Sequence, residues 1–248
     1  MIEQTYLAGQ YLAAAAISFI KKVSDDSHTN LGFSIENASM YTRPLNSNGD
    51  TLVLNYNTFA LEWHSKNYLE VLGLDGNTHN EVIKWIGQKA KKGGMDTPYR
   101  YEFHYDPTYV LSDGFIFKLS DANKFRELRD LRILGQQTFT FFLKEQKLTS
   151  EIRVWPHHFD TGAFALLNED SGKAIGLGLS IPDALVDDHY FYISGYKGHE
   201  GLDTSGFPSL TYGKWQNEGF KGAILPATDI DENAAMLFFR EALMAYKI

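Results

Sequence analysis

The chain contains no cysteine, which excludes disulfides, thiolate nucleophiles, iron–sulfur clusters and cysteine-based zinc sites together. Long apolar runs are missing too. The longest near the start, residues 11–20, falls well short of the roughly 20 residues a membrane-spanning helix needs. Positive charge is in deficit, with 23 Lys and Arg against 31 Asp and Glu and a net charge of -8. That balance argues against a nucleic acid or an anionic membrane as partner. The first ten residues hold Glu3 and neither Lys nor Arg, so they lack the basic segment of a secretory signal. The expectation is a soluble, cytoplasmic protein. Phosphate-binding fingerprints are also absent. Gly176-Leu177-Gly178 has no third glycine or following helix, and neither a Gly-x-x-x-x-Gly-Lys run nor a Gly-x-Ser-x-Gly elbow occurs.

What is present is a 248-residue chain with 44% hydrophobic and 14% aromatic residues. A chain of this size buries roughly 70–75% of its unfolded surface, enough for a substantial core. Residues 3–23 read as a helix, with Tyr6, Gly9, Ala13, Ala16, Ile17 and Ile20 forming one buried stripe. Extended runs follow at 31–40 and 51–63, separated by the turn Asn46-Ser47-Asn48-Gly49-Asp50. Thr78 and Glu81 predict a capping box for a helix that Gly93-Gly94 stops. The stretch 98–117 is rich in aromatics but has no period. A longer helix is predicted from the cap candidate Ser120 to about Lys147. Short strands then follow at 151–155, 161–167, 174–181, 190–194 and 221–226, with a turn at Asp170-Ser171-Gly172. The last helix is predicted to start at Asp229, with Glu232 closing its box. Hairpin-length turns and few helical crossovers predict an α+β fold with mainly antiparallel sheets. The order of elements suggests two similar lobes sharing one core, residues 1–118 and 119–248.

The densest cluster of chemistry-bearing residues is Trp155-Pro156-His157-His158-Phe159-Asp160. If Pro156 keeps this stretch extended, His157 and Phe159 share one face while His158 and Asp160 share the other. His158 and Asp160 would then make a general-base pair, and they are the catalytic candidates. Three alternatives stand at this point: a strand corner held by Asp160, a small-molecule site, or a metal site completed by His189. The spacing matches no zinc signature, so no bound metal is expected. In Asp188-His189-Tyr190-Phe191-Tyr192-Ile193-Ser194-Gly195-Tyr196, alternation predicts a tyrosine face bearing Tyr190 and Tyr192. Trp155, His157, His189, Tyr190, Tyr192, Arg43 and Trp63 are the candidate ligand-binding residues, Arg43 as an anion clamp.

The box at 155–160, with Leu177-Gly178-Leu179-Ser180-Ile181-Pro182-Asp183, Tyr190-Phe191-Tyr192 and Gly222-Ala223-Ile224-Leu225-Pro226, resembles an uncharacterised bacterial family classed as a domain of unknown function. The likeness lies in the order of short motifs over most of the chain. It departs at His28-Thr29-Asn30, where a histidine–tryptophan pair is expected. The resemblance implies an architecture and no activity. The expected function is binding of an unknown small molecule near the His158/Asp160 corner, with catalysis open and no cofactor. The alternative is a non-catalytic structural or protein-interaction module.

Overall fold

The run Ala13-Ala14-Ala15-Ala16 and its straight-chain neighbours favour helix, and the computed structural model, which describes residues 1–168 and 171–247, has α1 at Ile2–Phe19. Every residue from Thr5 to Ala16 is buried, so α1 is a central helix rather than one with a single apolar stripe. It ends earlier than expected because Ile20 is extended, with ψ of 138°.

Five strands follow in sequence order: β1 (Gly32–Ser34), β2 (Ser39–Tyr41), β3 (Thr51–Asn55), β4 (Ala60–Ser65) and β5 (Tyr68–Gly73). They pair antiparallel as a meander, β1-β2-β3-β4-β5. Each predicted extended run is therefore two strands. The breaks fall at Ala38 and Phe59, whose φ angles of 46° and 49° turn the chain sharply. The turn before β3 forms as expected: Asn46 Oδ1 accepts the N–H groups of Asn48 and Asp50, each at 3.0 Å, and Gly49 takes φ of 82°. Helix α2 (His79–Lys92) carries the full capping box between Thr78 and Glu81.

The second sheet is antiparallel in its measured pairings and has the order β11-β12-β9-β8-β7-β6, with β10 beside β9. Its strands are β6 (Arg153–Trp155), β7 (Asp160–Asn168), β8 (Lys173–Ser180), β9 (Tyr190–Lys197), β10 (Glu200–Gly201), β11 (Lys214–Gln216) and β12 (Gly222–Pro226). Helix α3 (Ala122–Gln146) starts after Asp121 rather than Ser120, because Asp121 Oδ1 accepts the N–H groups of Asn123 and Lys124 at 2.9 and 3.0 Å. Helix α4 (Glu232–Lys247) starts later than expected, since Asp229 is left-handed at φ of 59° and Asp231 supplies the cap. The rings of Phe139, Phe191 and Phe239 meet at 5.5–6.1 Å, so α3 and α4 pack on β9 through an aromatic core. The predicted turn residue Asp170 lies outside the described residues.

The chain divides into two compact units: Met1–Leu131 with Val154–Phe159, and Arg132–Arg153 with Asp160–Ile248. Among the described residues no helix is long and apolar enough to cross a membrane.

Candidate functional site

In the first unit, α1 organises the aperiodic stretch 97–117 through its own polar side chains. Ser18 Oγ accepts the N–H of Arg100 at 3.0 Å, and Tyr99 donates to the Tyr11 carbonyl at 3.2 Å. Further along, Tyr105 donates to Gln10 Oε1 at 2.7 Å, and Tyr6 Oη accepts the N–H of Thr108 at 2.8 Å. The stretch thus runs antiparallel to α1 as a strap outside the named strands and helices, with an isolated β-bridge from Ile116 to Thr78. Its far end is tied to the entry of α2, where Phe117 N donates to the Asn77 carbonyl at 2.9 Å. This explains why no period was legible there: side chains of another element hold the backbone.

Between strap and α2 lies a cavity of about 570 Å³, bordered by Thr78, His79, Tyr101, Phe103, Tyr109, Ser112 and Asp113 among others. That volume lies in the roughly 300–1,000 Å³ range of small-molecule sites. Tyr101 stands edge-on to both His79 and Phe103, with ring centroids 4.8 Å apart in each pair. His79 is the first residue of α2, and its Nδ1 lies 2.8 Å from Tyr11 Oη. Burial raises the Tyr11 pKa, helped by nearby Tyr101, so that hydroxyl keeps its proton. Burial also lowers the His79 pKa, which leaves the ring neutral at pH 7.

The predicted corner differs from expectation. Residues 156–159 form a turn rather than an extended strand, so alternation of faces does not apply. Phe159 N donates to the Trp155 carbonyl at 2.6 Å, and Phe159 takes φ of 63°. The turn is fastened to α1, because Gln10 Nε2 donates to the Pro156 carbonyl at 2.9 Å and Tyr6 Oη to the His157 carbonyl at 3.3 Å. The His157 ring lies tilted at 5.8 Å from Tyr105 of the strap, and His158 is exposed beside it at 4.3 Å. Burial, with the charges of His158 and His104, pushes the His157 pKa down to about 4. Trp155 is half-buried in β6. Trp63 is a core group, fully buried, with Nε1 donating to Asp50 Oδ2 at 3.3 Å. Arg43 is half-buried between Thr42 and exposed Pro44.

The second unit holds the other candidates. Asp160 opens β7, is buried, and accepts a hydrogen bond from Tyr192 Oη. Beside it Tyr190 donates to Asp183 Oδ2 at 2.7 Å, and the two tyrosine rings lie 6.3 Å apart, as the alternation of β9 requires. Gly178 leaves room for this arrangement, since a Cβ there would come within 2.5 Å of Tyr192 Oη. His189 precedes β9, and burial, with the Arg132 charge, pushes its pKa down to about 4. A wider cavity of about 620 Å³ is bordered by Tyr196, Glu200, Phe220 and Lys221. Among the described residues no group of three or more His, Asp or Glu is arranged to hold a metal ion.

Sequence reasoning missed His79, Tyr101, Phe103, Tyr109 and Asp113. The available signal was the aromatic density of 98–117 directly after a well-capped helix. No family model matches this chain, and comparison with curated proteins and with solved structures finds no match either.

Proposed function

We propose that the chain binds a small molecule in the cavity between the strap and the start of α2, rather than at the 158/160 corner. The observation that carries this reading is a cavity of about 570 Å³ walled by aromatic rings, with a neutral His79 hydrogen-bonded to Tyr11 at its border. Tyr101 and Phe103 offer apolar surface, while Asn80 and Ser112 offer hydrogen-bonding groups that set orientation. A cytoplasmic setting and kinship with the uncharacterised bacterial family belong to the same reading, supported by composition and by motif order alone.

The test is a thermal-shift screen of metabolites on the wild type and on Tyr101→Ala. A ligand at a hundred times its Kd adds about 2.7 kcal/mol of stability, a clear rise in Tm. Hits should lose their effect in the variant. A screen whose hits stabilise both proteins equally would remove the cavity from consideration. For the 158/160 corner a structural role is the better reading, because Asp160 is buried and engaged by Tyr192.

A further inference from the structure

The cavity by the strap has a charge character that narrows its ligand. Among the described residues no lysine or arginine borders it, and Asp113 contributes a carboxylate at its exposed edge. A helix N-terminus would ordinarily favour an anion there. In α2 that preference is already met internally: Glu81 Oε2 accepts both the N–H and the hydroxyl of Thr78, at 2.8 and 2.7 Å. Glu81 therefore brings a second negative charge to the same end of the helix. The walls are suited to a cation. Tyr101 and Phe103, which meet edge to face at 80° and 4.8 Å, and Tyr109 bring three aromatic rings to the lining. Ring faces carry negative quadrupole charge, and aromatic rings lining one cavity together with a carboxylate favour a compact alkylated cation over a neutral molecule of equal shape. His79, being neutral, adds no repulsion.

We propose that this cavity takes an organic ammonium ion, its cationic head against Tyr101, Phe103 and Tyr109 and its charge balanced by Asp113. The proposal rests on the cavity reading above and specifies its ligand class.

The experiment is calorimetric titration with choline and with 3,3-dimethylbutan-1-ol, its neutral isostere, on wild type, Asp113→Asn and Tyr101→Ala. Choline should bind the wild type at least about tenfold more tightly than the neutral isostere, because only its charged head is attracted by the rings and the carboxylate. Asp113→Asn, a change at an exposed position, should weaken choline about three- to tenfold and leave the isostere unchanged. Tyr101→Ala should weaken both, with its fold checked by circular dichroism. Equal binding of the two compounds, or tighter binding of the alcohol, overturns the ammonium assignment and leaves the cavity standing as a neutral-ligand site. Acetate or phosphate binding with Asp113→Asn improving it overturns the assignment in the opposite direction. If neither choline nor the alcohol binds the wild type, the ammonium assignment falls. If the metabolite screen also yields no Tyr101-dependent hit, the cavity reading falls with it.

Discussion

Asp160 and His158 are two positions apart in sequence yet differ in every physical respect. Asp160 is buried and hydrogen-bonded, whereas His158 is exposed. A buried carboxylate persists only when it is bonded or paired, and Tyr192 is raised in pKa by burial and by the Asp160 charge, so the phenol holds its proton and donates. Replacing the carboxylate with an amide keeps one acceptor and puts a donor where the other oxygen stood. Asp160→Asn is expected to lower the unfolding free energy by about 1–3 kcal/mol, while His158→Gln should change it by less than about 0.5 kcal/mol. Urea unfolding of both variants measures this. Equal midpoints for wild type and Asp160→Asn would show that the carboxylate does not hold the corner.

Among the elements, α1 carries an unusual load: it is buried nearly all round, and its polar side chains fasten both the strap and the 156–159 turn. The closest approach is at Gly9, where an added Cβ would lie 2.4 Å from the Phe159 ring. That ring is held in place by a left-handed backbone and by edge contact with Tyr6 at 5.3 Å. It has little freedom to retreat. Gly9→Ala should gain helix propensity of roughly 1 kcal/mol in principle, but overpacking of about 1–3 kcal/mol opposes it. The expected net result is a lower Tm. An unchanged or higher Tm would mean that the turn yields readily and is not fixed to α1.

For the whole molecule, acid sensitivity follows from histidines kept neutral by burial. His157 and His189 are each pushed down to about 4 from an ordinary 6.5, and burial also lowers His28 and His79. Between those values the unfolded chain binds more protons than the folded one. The stability they contribute is therefore complete above about pH 6.5 and is lost as pH falls toward 4, with a slope of up to about 1.4 kcal/mol per pH unit for each residue. Urea midpoints should fall between pH 6.5 and 5.0, above the range where most carboxylates titrate. The double variant His157→Gln with His189→Gln should show a shallower fall. Identical slopes would assign the effect to other groups.

The α+β class, the presence of the long helices, the capped start of α2 and the face alternation of β9 were all legible in the sequence, because each depends on local periodicity or on a cap a few residues away. Residues such as Thr78 and Glu81, or Tyr190 and Tyr192, carry their geometry with them. The turn at 156–159 and the strap at 97–117 were not legible, since no local pattern shapes them. Their carbonyls, amides and hydroxyls are met by groups of Tyr6, Gln10, Tyr11 and Ser18 that lie about eighty to a hundred and fifty positions away along the chain. Only tertiary packing could bring these partners together, and with them the ring-walled cavity beside His79.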